Sequence, residues 1–132
     1  RLAATGGTFV PVRLVSPRLL ERTDVDVVAP DLARDRAEWR GRFGVVRAAN
    51  ILNHDYFDPD TLLQMAAHLR SYLAPGGLMV VCRTLKDRSN HGTLFRLDQA
   101  GELAVADRIG DGSDAAAIVL AAAGAASGRS AG

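Results

Sequence analysis

The stretch FGVVRAANILNHDYFDPDTLLQMAAHLRSYLAPGGLMVV, residues 43–81, decides the fold of this 132-residue chain. It opens on an apolar run, Phe43 to Ala49, and closes on another, which continues through Leu78 to Thr84. Both runs are continuous rather than alternating, the pattern of parallel strands covered on two faces. Between them lies a helix signal. Asp58 suits the N-cap, Pro59 the first helical position, and Asp60 puts negative charge at the positive end of the dipole. Leu62, Ala66, Leu69 and Leu73 then recur at i, i+4, i+7 and i+11, one apolar stripe facing a sheet. Ala74-Pro75-Gly76-Gly77 ends the helix, because proline cannot continue the ladder and glycine accepts a left-handed cap. Residues 43–84 therefore read as strand, helix, strand, a connection that makes the two strands parallel neighbours.

Outward from this unit the signals shorten. Upstream, Phe9 to Val15 reads as a strand interrupted by Pro11, and Val25 to Ala29 as a shorter one ending at Pro30-Asp31. Leu32 to Trp39 leaves room for a short helix capped by Asp31. Downstream, Thr93 to Leu97 and Leu103 to Ile109 are strand-like and joined through Asp98-Gln99-Ala100-Gly101, a hairpin turn. Gly110-Asp111-Gly112-Ser113 makes a second turn, and Ala115 to Leu120 follows as another strand. The expected class is α/β, with a mixed sheet whose C-terminal end is an antiparallel hairpin. Residues 1–120 form one domain on this reading. Residues 121–132 contain only Ala, Gly, Ser and one Arg, and read as a disordered tail.

Composition narrows the function. Sixteen Lys and Arg stand against 15 Asp and Glu, a formal charge of +1, which argues against a dedicated nucleic-acid or polybasic membrane surface. Hydrophobic residues make up 48% and charged residues 23%, ordinary for a soluble globular domain. No apolar run reaches the roughly 18–20 residues of a spanning helix. The single cysteine, Cys82, rules out an intramolecular disulfide and fits a reducing, cytoplasmic compartment. His54, His68, His91 and Cys82 show no metal-ligand spacing. Arg34, Arg36, Arg40 and Arg42 are broken by Asp35 and Glu38, the mark of a solvated face. No Ser/His/Asp set and no Walker-type loop is evident.

Ligands of open parallel sheets sit beyond the carboxyl ends of the strands. That directs attention to Asp31, to Arg47–Asn50 with Asn53 and His54 beyond, and to Arg83-Thr84. Asn50 can bend the strand-to-loop transition, or use an amide that both donates and accepts. Arg47 sits inside an apolar run, where it either meets an anionic ligand or pairs with an acidic neighbour. His54 is either a surface loop histidine or a general base near neutral pH. Asn90-His91 can reach the same region or form a polar loop. His68 reads as a helix-flank residue and Cys82 as a core residue.

The quoted stretch resembles the second half of a class I S-adenosylmethionine-dependent methyltransferase. In that family a strand ends beside the methyl donor, a helix follows, and an L-x-P-G-G turn, here Leu73 to Gly77, leads into the next strand. The resemblance covers roughly Phe9 to Leu120 and implies a Rossmann-like methyltransferase fold, S-adenosylmethionine as cofactor and a small-molecule acceptor. Leu103 to Ile109 and Ala115 to Leu120 would be its sixth and seventh strands, with Thr93 to Leu97 an added arm. Asp31, Leu32, Ala48, Ala49 and Asn50 would then contact the donor. Arg47, Asn53, His54, Tyr56, Arg83 and His91 would face the acceptor, with His54 the possible base. Methyl transfer asks little of side chains, because in-line positioning alone can supply about 7–11 kcal/mol of the barrier.

Three departures stand beside it. No glycine-rich cofactor loop follows a strand; Gly6-Gly7 precede an apolar run instead. The acidic residue that the family carries after its second strand, which would be Phe9 to Val15 here, is replaced by Val15-Ser16-Pro17. Gly44 stands where the family often has Asp. With the start at Arg1 rather than Met, these departures imply a fragment that lacks the family's first strand. A non-catalytic, methyltransferase-like regulatory or partner-binding module is the alternative.

Overall fold

The computed structural model describes residue 8, residues 10–12 and residues 14–129. The chain falls into two compact units, residues 1–30 and 31–132. The first holds one helical turn, α1 (Pro17–Leu20), started by Ser16, whose carbonyl accepts from Leu19 N at 3.0 Å. Arg22 pairs with Asp24 just beyond it.

The second unit is built on the quoted stretch. Phe43–Ala49 is strand β1, Pro59–Ser71 helix α2 and Leu73–Thr84 strand β2, with β1 and β2 parallel. Asp58 caps α2 by accepting from Thr61 N at 2.8 Å, which holds its carboxyl below the usual carboxylate range. Leu62, Ala66 and Leu69 are buried on α2, as their spacing requires, and Met65 joins them. Leu73 is buried as the first residue of β2 instead, because α2 ends at Ser71 with Tyr72 as its C-cap, ahead of the stop expected at Ala74 to Gly77. The Pro75-Gly76-Gly77 turn lies inside β2: the partners of Phe43 and Val45 jump from Leu73 to Leu78, so residues 74–77 bulge out of the ladder. Gly76 takes φ +80° there, a conformation open to glycine at no steric cost.

Two further strands follow, β3 (Asn90–Leu97) and β4 (Leu103–Ile109), giving one sheet of order β1-β2-β3-β4 with both later pairings antiparallel. The mixed α/β sheet is as expected. The hairpin turn is fixed by Asp98, whose Oδ1 accepts from Ala100 N and Glu102 N, each at 2.9 Å, and by Gly101 at φ +87°. Helix α3 (Ala116–Arg129) packs with α2 on one sheet face, where Ala48, Met79, Val81, Phe95, Leu97 and Val119 share the core. Among the described residues no helix is long and apolar enough to cross a membrane.

Several expectations are corrected. Val25 to Ala29 is not a strand, and Val27 and Val28 are exposed; a β-prone sequence without a pairing partner stays irregular. Phe9 and Arg13 of the first expected strand lie outside the described residues, and Val10–Val12, Leu14 and Val15 are unpaired. Leu32 to Trp39 is a turn followed by a 3-10 turn at Ala37–Trp39. Thr93 to Leu97 is no added arm: it is the strand between β2 and β4. Ala115 to Leu120 is not a strand but the start of α3, whose small residues let it lie close against α2. The boundary drawn at residue 121 falls inside that helix, where Ala122 is 1% exposed.

Candidate functional site

At the carboxyl ends of β1 and β2, one residue ties the two strands together. Asn50 has φ 59°, a left-handed conformation that asparagine tolerates better than most side chains. Its N–H donates to Cys82 O at 2.9 Å, and its Oδ1 accepts from Thr84 N at 2.9 Å. Thr84 Oγ1 in turn donates to Asn90 Oδ1 at 2.8 Å. The Asn50 amide oxygen is thus engaged, while Nδ2 makes no hydrogen bond among the described residues and remains a donor. Sequence reading gave Asn50 both a donor and an acceptor to offer; the geometry leaves the donor. Ala48 before it is buried under α2 and Ala49 is half-buried.

The loop from Ile51 to Phe57 folds back on itself around Asn53, which is 8% exposed. Asn53 Oδ1 accepts from Asp55 N at 3.0 Å, and its carbonyl accepts from Tyr56 N and Phe57 N at 3.1 and 3.2 Å. Asn53 shapes the loop. Tyr56 is 76% exposed at its tip. Arg83, three-quarters covered, clasps this loop to the β4–α3 turn: Nη2 meets Asp55 Oδ2 at 3.2 Å and Nη1 meets Asp114 Oδ2 at 2.6 Å. His54 lies alongside, its Nε2 3.5 Å from Asp114 O, the outer limit of a hydrogen bond.

Beside Arg83 across the ladder stands His91. Its Nδ1 accepts from Asp111 N at 3.0 Å, so Nε2 carries the proton and donates to Ser89 Oγ at 2.9 Å. Ser89 Oγ donates onward to Asp87 Oδ1 at 2.5 Å. This hydroxyl, with the Ser89 backbone N–H, holds the Asp87 carboxyl below its usual range. The order matters chemically. Ser89, His91 and Asp111 do meet, but an imidazole already donating to Ser89 cannot take its proton, so this is no nucleophile triad. Between these groups opens a hollow of about 260 Å³ lined by Arg83, Leu85, His91, Asp111, Gly112, Ser113 and Asp114. Thr93, buried below it, accepts from Ser113 N at 2.9 Å through Oγ1.

The carboxyl edge therefore gathers Asn50, Asn53, His54, Tyr56, Arg83 and His91. Asp31 and Leu32 are not brought to it. Leu32 O accepts from His68 Nδ1 at 2.8 Å, and His68 lies nine residues along α2 from Pro59, about 14 Å at 1.5 Å per residue. Asp31 itself caps a local turn, accepting from Ala33 N at 3.0 Å, and faces Arg34 at 3.8 Å. Arg47 is exposed on the sheet face opposite α2, and no ion pair among the described residues includes it. The basic cluster balances internally: Arg36 pairs with Glu38 at 2.8 Å and Arg40 with Asp35, while Arg36 lies 4.2 Å over the Trp39 ring.

Sequence reading missed Asp55, Asp111 and Asp114. The last two lie in and just after Gly110–Ser113, which reads only as a turn when a strand is expected to follow. The Asp55 and Asp114 carboxylates already balance the Arg83 cation, so an anionic ligand here would have to displace one of them, whereas a neutral or cationic molecule would not. His54 is the imidazole with capacity to spare, since both His91 nitrogens are engaged. No group of three or more His, Cys, Asp or Glu residues is placed to hold a metal among the described residues. Comparison with family models, curated proteins and solved structures returned no match, so the reading of function rests on this geometry.

Proposed function

We propose that the chain carries part of a class I S-adenosylmethionine-dependent methyltransferase site, acting on a small, neutral or cationic acceptor. The observation that carries this reading is Asn50: it ends the first strand of a parallel strand–helix–strand unit in a left-handed conformation, with its amide oxygen engaged and its Nδ2 left to donate. A carboxylate, such as that of the donor's amino-acid end, suits such a group, and Ala48 and Ala49 offer no bulk beside it. S-adenosylmethionine supplies an activated methyl on a sulfonium. The chain's own residues have the work of positioning. The 51–57 loop and the β4–α3 turn, clasped by Arg83, form the acceptor side, and His54 is the base where the acceptor carries a proton.

Asp31 and Leu32 favour a second reading. Held at the far end of α2 by His68, they are not available to a donor bound at Asn50. A partner-binding module without catalysis accommodates that fact. Calorimetric titration of the protein as its gene encodes it with S-adenosylhomocysteine separates the two. Saturable binding, weakened about tenfold or more in Asn50→Gly by loss of one hydrogen bond to a charged group, supports the methyltransferase reading. Absence of binding heat sinks it.

A further inference from the structure

The turn from Ile109 to Asp114 rests on one imidazole. His91 Nδ1 accepts the Asp111 N–H at 3.0 Å, and the Asp111 carboxylate waits 3.7 Å from the same nitrogen. Gly110, at φ +57°, lies so close that an added Cβ would sit 2.7 Å from Nδ1. The turn thus packs directly on the ring. Beyond it, Ser113 N is held by Thr93 Oγ1 and Ser113 Oγ accepts from Ala115 N at 3.1 Å, which sets Asp114 against Arg83.

We propose that His91 is a protonation switch: a proton gained at Nδ1 exchanges the Asp111 amide for the Asp111 carboxylate and resets the turn that holds Asp114 against Arg83. The chemistry follows from the lone pair. A neutral imidazole has one acceptor nitrogen and an imidazolium has none. Once Nδ1 bears hydrogen, two donors face each other across 3.0 Å and the turn has to move. The charged groups facing the ring divide as follows. Asp111 on the turn favours the imidazolium, as does Asp87, reached through Ser89 from the β2–β3 loop. Arg83, its cross-strand neighbour on β2, opposes it, and Asp114 offsets Arg83. Lys86 and Arg88 in the β2–β3 loop add two more positive charges near Asp87. Resetting the turn consequently withdraws Asp114 from Arg83 and leaves that cation free to face the hollow beside it.

The test is an NMR titration of the full chain, following the imidazole carbons of His91 and His54 together with the backbone amides of residues 109–115. The Asp111 amide, shifted by its bond to a ring nitrogen, is expected to lose that shift with the midpoint of His91. Gly112, Ser113 and Asp114 should move with it. His54, whose Nε2 lies near Asp114 O, is removed as a source of the same transition by His54→Gln, which should leave it unchanged. His91→Gln should abolish it. An Asp111 amide that ignores His91, or that follows His54, overturns the proposal. Should His91→Gln not fold, the His54→Gln titration alone decides.

Discussion

Replacing Gly77 by alanine perturbs the place where α2 hands over to β2. An added Cβ would lie 2.7 Å from Ala74 O, 3.2 Å from Gly44 O and 3.2 Å from Leu73 Cδ2. The leucine end can swing aside, but the two carbonyl oxygens belong to the backbone of the bulge and of β1. Separating them strains the parallel pairing itself, a cost of about 1–3 kcal/mol by analogy with overpacked cores. Gly44, directly across, provides the control. Its added Cβ meets nothing within 4 Å, so Gly44→Ala should be neutral or stabilise by about 0.4–1 kcal/mol through the unfolded chain. Urea unfolding followed by Trp39 fluorescence and by circular dichroism reads both. Trp39 packs edge-on against Phe43 at 6.0 Å and Tyr72 at 5.5 Å, at the same junction. With an m-value of about 2 kcal/mol/M, a 2 kcal/mol loss lowers the midpoint by about 1 M. Gly77→Ala matching the wild type, or Gly44→Ala losing as much, would refute this description of the handover.

Leu62→Ala, at a fully buried position of α2, should cost about 2–5 kcal/mol in the same urea experiment; a loss within error of zero would mean that α2 is not seated on the sheet. Asn50→Ala should lose about 1–2 kcal/mol for the left-handed backbone and about 1 kcal/mol for the bond to Thr84 N, while Asn50→Gly loses the second alone. Equal stabilities for the two variants would contradict that division. Because the Asp58 carboxyl is held below its unfolded value by Thr61 N, its contribution is complete above about pH 4 and lost as pH falls through the lower folded value. The melting temperature of the wild type should therefore fall more steeply than that of Asp58→Asn below about pH 4, and parallel curves would argue against the cap.

The central unit was legible because its signals are local and redundant. Asp58, Pro59 and the Leu62-Ala66-Leu69 stripe each indicate the same helix, and two continuous apolar runs indicate strands on either side; Leu73, which continues the stripe, already belongs to β2. The later part was harder because its signals conflict. Ala115 to Leu120 contains Ile118 and Val119, which favour strands, but the alanines around them favour a helix that can lie close to α2. The same alanines carried no mark of burial in the sequence, yet Ala115 and Ala122 are inside. At the candidate site, Asn50, His54 and Arg83 were visible from the rule that ligands meet strand ends, whereas His91 read equally as part of a polar loop and proves to lie in β3. Asp114 was not visible, because only the register of β3 with β2 and the direct start of α3 bring it to Arg83. Asp31 shows the opposite case: the chain order matched, but a hydrogen bond from His68 holds its neighbour elsewhere.

On the proposed reading, the carboxyl edge of β1 and β2 holds the donor through Asn50. The most direct test of that reading is the chemical-shift map of the protein, as its gene encodes it, on addition of S-adenosylhomocysteine. The predicted result is saturable change centred on Ala49, Asn50, Ile51 and Thr84, including the Asn50 side-chain amide, with residues 31–34 unmoved. Saturating ligand that leaves the Asn50 side-chain amide unshifted would contradict it.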